Sequence, residues 1–453
     1  MMYAISTKYM LFLEKLKSII QNKDTLTLWM NNLLVLYAFF LPIAQSIKAK
    51  IFIAILILFF IRGDVKYYLK EAWKNQVVRA FVYLFVIYVL GLLWSENIKE
   101  GLRWVKSIKY GLYLIVFYSF VDGRYIKRVL AAFISGMLLS EIISYGMILH
   151  ILPWKFSLLG VTIYEAPTPV DPSPFLNHIH YGVALSLVVI LLAQQIYLSH
   201  KPLIVKIFMS IFIFTASANI FVTGGRTGYV TFILLLLILA IFYLRKWAII
   251  GLTFVILVVG IALETSPILQ QKVQQTTLSA KQLLSKDPNF NTSMGIRAGM
   301  YYYGMKAIGN NLVFGVGTGD SMDVIRDTAP KEWEGRKQPH EHNQYFSTFM
   351  KLGFVGLLVF LNIFYQIFRY KQEDKELRFI MVFTTLTVAF GILTTQFNLR
   401  FFMPLWVVML SITLIQKNRQ TILRNLNDKQ IMLQIIGAGM FFFILYIFLK
   451  GSH

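Results

Sequence analysis

Long apolar runs recur along most of this chain, and a single extended polar stretch, residues 265–344, interrupts them. A run that covers a hydrocarbon core of about 30 Å reads as a membrane helix. On that basis the pattern predicts spans at Leu28–Ser46, Lys50–Ile61, Ala80–Trp94, Trp104–Phe120, Val129–Leu149, Tyr181–Leu198, Leu203–Val222, Tyr229–Tyr243, Ala248–Leu263, Tyr345–Phe368, Phe379–Thr395, Phe401–Ile415 and Met432–Phe448. The second is short enough to be tilted or re-entrant, which leaves twelve or thirteen. None of the runs alternates apolar with polar as barrel strands do, so the expected fold class is an all-α polytopic membrane protein. The chain then divides into a cytoplasmic segment (1–27), nine spans (28–264), the polar loop (265–344) and a C-terminal helical block (345–450). Residues 451–453 have the composition of a tag remnant. Met1–Asp24 is mixed and basic, without a cleavage-type signal.

Composition agrees: 57% of residues are hydrophobic and 15% charged, where soluble domains carry about a quarter charged residues. The formal net charge is +22, a value that suggests nucleic-acid binding until its distribution is read. Arg62, Lys66, Lys70, Lys74 and Arg79 cluster together, as do Arg124, Lys127 and Arg128, and again Arg369, Lys371, Lys375 and Arg378. Such loops alternate along the chain, the signature of cytoplasmic loops in membrane proteins. Membrane lipids, not nucleic acid, are the implied partner. The loops between them hold Leu152–His178, Thr223–Gly228 and the long polar stretch. His178, His180, Arg226, Arg297 and His342 therefore fall on one face, opposite the cytoplasm. The absence of cysteine removes disulfides and thiolate metal sites.

Four segments carry candidate chemistry. In Thr223-Gly224-Gly225-Arg226-Thr227-Gly228, glycines free the backbone to turn and Arg226 can fork onto a phosphate; the alternative is an arginine that snorkels to headgroups. Asn291 or Ser293 can cap a helix beginning near Gly295, which would put Arg297 in its first turn, where backbone amides favour an anion. The run Gly315-Val316-Gly317-Thr318-Gly319 lacks the Lys-Ser/Thr of a Walker loop and reads as a tight surface turn. In His340-Glu341-His342-Asn343 the two histidines are two apart, the wrong spacing for a helical zinc pair. An imidazole that titrates near neutrality suits a general base better. Weaker candidates for lining a site are His178, His180, Tyr181, His340 and Asn343, together with Arg103 and Lys106, which share a helical face with Tyr110 in a span that is otherwise apolar.

His342-Asn343, nine residues, Gly353, two residues and Gly356 resembles the signature of bacterial O-antigen ligases. The Gly-Arg-Thr-Gly turn, the large loop with an arginine and the Gly-x-Gly-x-Gly turn resemble that family in the same order, over about Phe175–Gly356. The superfamily also holds O-antigen polymerases and protein O-oligosaccharyltransferases. The resemblance implies a GT-C-type bundle in the bacterial inner membrane, with its site facing the periplasm. The donor would be a polysaccharide linked to undecaprenyl diphosphate and the acceptor a lipid A–core. His342 takes the position of the catalytic base, Arg226 and Arg297 the positions that hold the diphosphate, and Gly353 and Gly356 positions suited to close helix packing. No metal or other cofactor is implied, and the outer loops contain no Asp-x-Asp motif.

Overall fold

A computed structural model of the chain describes residues 23–155 apart from 64, 157–158, 161–162, 168, 171–198, 201–244, 267–397 and 401–415, with isolated positions between 249 and 264. The expected span Met432–Phe448, most of Ala248–Leu263 and the terminal tail lie outside these residues.

Among the described residues the regular structure is helical except for a short antiparallel pairing of β1 (Ser157–Leu158) with β2 (Val161–Thr162) and an isolated bridge between Thr168 and Asp171. The first half contains α1 (Lys23–Phe40), α2 (Gln45–Ile61), α3 (Val65–Lys74), α4 (Gln76–Leu90), α5 (Ile98–Ile108), α6 (Tyr113–Phe120) and α7 (Ile126–Ile148). Then come α8 (His178–Leu198), α9 (Leu203–Val222) and α10 (Arg226–Leu239). The expected polar loop is itself helical: α11 (Pro267–Leu283), α12 (Ser293–Ile308), α13 (Ser321–Thr328) and a 3₁₀ turn at Glu334–Lys337. The chain closes with α14 (Gln344–Arg369), α15 (Lys375–Gly391) and α16 (Phe402–Thr413).

Among the described residues, four helices are long and apolar enough to cross a membrane: Gly123–Ile148, His178–Tyr197, Leu203–Val222 and Gln344–Arg369. A fifth follows if α3 and α4, bent by 99° at Asn75, form one broken span. The twelve or thirteen expected spans cover the whole chain; one of them and most of another fall outside the described residues, and several of the other apolar runs fold as shorter helices. Trp104–Phe120 is the clearest correction. Its first part belongs to the amphipathic α5, a 3₁₀ turn at Lys109–Leu112 interrupts it, and only Tyr113–Phe120 continues as helix.

The core follows from helices that are apolar on every side, which must be covered on every side. All of α16 is buried, and Trp406 packs its ring against Phe81 and Phe364, with centroids 5.1 and 5.0 Å away. Its indole N–H donates to the Thr385 hydroxyl at 3.1 Å. Helices α8 and α10 approach closely because Gly182 and Gly228 face each other; a Cβ added to either would lie about 3 Å from the other's Cα. A second, smaller cluster joins the polar region to α14 through Met300, Met322, Ile325, Trp333, Phe349 and Met350.

Candidate functional site

Helix α14 begins at the candidate histidine. Asn343 is its N-cap: the side-chain oxygen accepts from the Phe346 amide at 3.1 Å, and the side-chain amide donates to the Tyr301 hydroxyl at 3.0 Å. Asn343 therefore has a structural task, where it had been expected to line the site. Immediately before it, His342 adopts φ 56°, the left-handed region that residues with a Cβ seldom enter. Such a conformation costs about 1–3 kcal/mol and persists only where its surroundings hold it.

The flanks supply that hold. Asn343 pins one side through the cap. On the other, Glu341 is completely buried and fully bonded. Its Oε1 accepts from Lys351 Nζ at 2.8 Å and from the Ser321 hydroxyl, and its Oε2 accepts from Gln396 at 2.7 Å. Burial alone would raise the Glu341 carboxyl, but the Lys351 charge and the hydrogen bonds outweigh it and hold the group well below the ordinary carboxylate range. Lys351 is also wholly buried, donates to the Ser347 hydroxyl at 2.6 Å and stands 3.9 Å from the Trp104 ring centroid. A lysine seven residues into α14 was visible in the sequence as a charge in an apolar run; its partner was not.

The His342 Nε2 lies 2.9 Å from Gln338 Oε1. An amide oxygen only accepts, so Nε2 carries the proton and Nδ1 presents the lone pair. Burial, and then the Arg297 charge, lower the His342 pKa from 6.5, which keeps the ring neutral and basic at neutral pH. The His340 ring stands 4.3 Å from that of His342, centroid to centroid, and is more deeply buried. Burial, and then His342, push it down to about 4. Among the described residues no three His, Cys, Asp or Glu side chains are grouped to hold a metal, and Glu341, the acidic residue between the histidines, is committed to Lys351.

Arg297 lies on α12, capped not by Asn291 or Ser293 but by Thr292, whose hydroxyl accepts from the Gly295 amide at 2.9 Å. The helix thus starts at Ser293, and Arg297 falls in its second turn. Arg226 is the first residue of α10, behind the N-cap Gly225. The Arg297 guanidinium is lowered by burial and then by the like charge of Arg226. Arg226 acts on Arg297 and Arg297 on His342, so Arg297 is within electrostatic reach of both. Both arginines are half-buried, and among the described residues neither has a carboxylate partner.

The other candidates divide. His178 opens α8 beside this group: its carbonyl oxygen would lie 2.8 Å from a Cβ at Gly225, and its Nδ1 stands 3.0 Å from Asp171. His180 and Tyr181 are corrections. Both are buried in the bundle, and the His180 ring packs on Phe401 and Phe402. Arg103 and Lys106 are exposed on α5, not embedded in a span, and Arg103 faces Glu100 at 3.4 Å. The Gly315–Gly319 run is not a surface turn. Its amides at Val316 and Gly317 donate to the Met350 and Lys351 carbonyls at 2.9 and 3.0 Å, and Thr318 is buried. Gly353 makes this possible. At φ 64° and ψ −161° it breaks α14 in a region open essentially to glycine alone, and a Cβ there would meet the Val313 oxygen at 2.2 Å. Gly353 stitches the polar segment into a broken helix instead of joining two helices, and a Cβ at Gly356 would meet Leu352 of its own helix.

A histidine ahead of a broken helix, with Arg297 in electrostatic reach and Arg226 beyond it, is thus the main cluster of titratable groups among the sequence candidates. Residues 211–361, which contain Arg226, Arg297 and His342, match the model of the O-antigen ligase family. An uncharacterized protein of Haemophilus influenzae is 26% identical over 323 residues, covering 68% of this chain and 76% of that relative.

Proposed function

We propose that the chain is an O-antigen ligase: a glycosyltransferase of GT-C type in the bacterial inner membrane that moves a polysaccharide from undecaprenyl diphosphate to a sugar hydroxyl of a lipid A–core. The alternation of basic loops supports a site on the periplasmic face. The observation that carries the reading is the electrostatic coupling of Arg297 to both Arg226 and His342, with neither guanidinium paired to a carboxylate among the described residues. Two like charges held together without a counter-ion favour a dianionic ligand, and a diphosphate is one.

In this reaction Nδ1 of His342 takes the proton from the acceptor hydroxyl. The oxygen attacks the anomeric carbon from the face opposite the diphosphate, the bond from that carbon to the phosphate oxygen breaks, and the configuration inverts. Undecaprenyl diphosphate leaves with the bonding electron pair, its added charge met by Arg226 and Arg297. The proton on His342 passes to water. No step calls for a metal or other cofactor. In cells, His342→Ala should leave lipopolysaccharide uncapped while lipid-linked polysaccharide accumulates; normal capping would exclude His342 as the base. Loss of chain extension on the lipid carrier itself would assign the same site to a polymerase.

A further inference from the structure

A cavity of about 790 Å³ opens between α5 and the segment from α13 to Pro339. Its wall carries Lys99, Arg103 and Lys106 from α5, and Arg326 and Lys337 from the facing side. Five cations stand here against two carboxylates, Glu100 and Asp323. Arg103 faces Glu100, Arg326 pairs with Asp323 at 2.9 Å, and Lys337 pairs with Glu334 at 2.7 Å. Lys99 and Lys106 are exposed, and among the described residues they have no partner. The spacing of 99, 103 and 106 places all three on one face of α5.

This cavity adjoins the base on two sides. Arg326, in its wall, donates to the Gln338 carbonyl at 2.9 Å, and the Gln338 side chain holds His342. Ser321, also in its wall, bonds Glu341 directly.

We propose that this cavity is a second anion subsite, which holds a phosphate- or carboxylate-bearing sugar of the acceptor saccharide while another hydroxyl of the same molecule lies at His342. The inference rests on the reading of His342 as the base of a glycan transfer. It differs from the donor site in position and in its cations, none of which is Arg226 or Arg297. A charged sugar anchored by Lys99 and Lys106 would select the acceptor and leave the transfer chemistry untouched.

The test is equilibrium binding by calorimetry, with the full-length protein in neutral detergent micelles. The probes are a phosphorylated, lipid-free core oligosaccharide and its dephosphorylated counterpart. The phosphorylated probe should bind more tightly, and K99Q/K106Q should weaken it about tenfold, as expected for loss of charge-assisted contacts at a solvent-open site. The dephosphorylated probe should not distinguish the variant from the parent. Equal binding of the phosphorylated probe to parent and variant would overturn the subsite. Displacement of that probe by micellar phosphatidylglycerol at an equal phosphate concentration would also overturn it, by assigning the cations to a lipid headgroup. Glycan transfer to the same oligosaccharide is measured separately. If the probe binds through the two lysines and receives no glycan, the ligase reading falls and the subsite stands. Transfer with no lysine dependence of binding gives the reverse.

Discussion

The Glu341–Lys351 pair offers the sharpest energetic prediction. Lys351→Met keeps most of the apolar stem in its packed position but removes the ammonium. Glu341 would then remain fully buried with only Ser321 and Gln396 as donors. Breaking a buried pair by deleting one partner costs about 3–5 kcal/mol, because the remaining charge is uncompensated. That is a large share of the 5–15 kcal/mol typical of a folded domain. Adding Glu341→Gln removes the orphaned charge, and the double variant should return to within about 1–2 kcal/mol of the parent. The assay is reversible unfolding of the purified protein in mixed micelles, titrated with a denaturing detergent, on all four members of the cycle. If Lys351→Met alone costs under about 1 kcal/mol, or if the double variant is no more stable than the single, the pair is not the anchor described here. Transfer activity should follow stability in this series, since Glu341 fixes the chain next to the strained His342.

Gly353→Ala should destabilise the protein by more than about 3 kcal/mol, from strain at φ 64° and from the amide bonds of Phe354 and Val355 to Leu312 and Val313; a thermal shift within error of the parent would contradict this. The neutral His342 ring predicts that the acid limb of the rate profile lies below pH 6.5. Removing the charge with Arg297→Gln should move that limb to higher pH, and an unmoved limb would separate the two residues. His340 is held neutral down to about 4, below its unfolded value of 6.5. The unfolded chain therefore binds the proton first, so His340 lowers stability as pH falls from 6.5 toward about 4. His340→Gln should flatten that slope in pH-dependent unfolding. Gln338→Leu frees the Nε2 proton of His342, and should lower kcat with acceptor binding retained; an unchanged kcat would remove Gln338 as a positioning residue.

The helical membrane class was readable from hydropathy alone, because continuous apolar runs of bilayer length have few other uses. The ordered motifs around Arg226, Arg297 and His342 direct attention to the segment that matches the family model, and the roles of these residues remain a proposal. What escaped the sequence depended on the chain turning back on itself. Glu341 and Lys351 are ten residues apart and meet only because the chain folds over the start of α14. Gln338 and Ser321 act through contacts that no periodicity encodes. His180 and Tyr181 sit one turn from His178, yet the bundle covers them and leaves His178 half exposed. In α5, mean hydropathy across Trp104–Phe120 concealed an amphipathic helix whose charges share one face, which only the spacing of Lys99, Arg103 and Lys106 reveals. The Gly-rich run looked like a surface turn because glycine marks turns; here it permits backbone to pack on backbone.

The central claim is that His342 acts as the base in glycan transfer from a lipid diphosphate. It is tested most directly by single-turnover transfer with purified protein, a defined undecaprenyl-diphosphate glycan and a lipid A–core acceptor. The parent should transfer the glycan, and His342→Ala should be about 10²–10⁴-fold slower while binding both substrates and unfolding as the parent does. A His342→Ala protein that transfers at the parent rate would contradict the account.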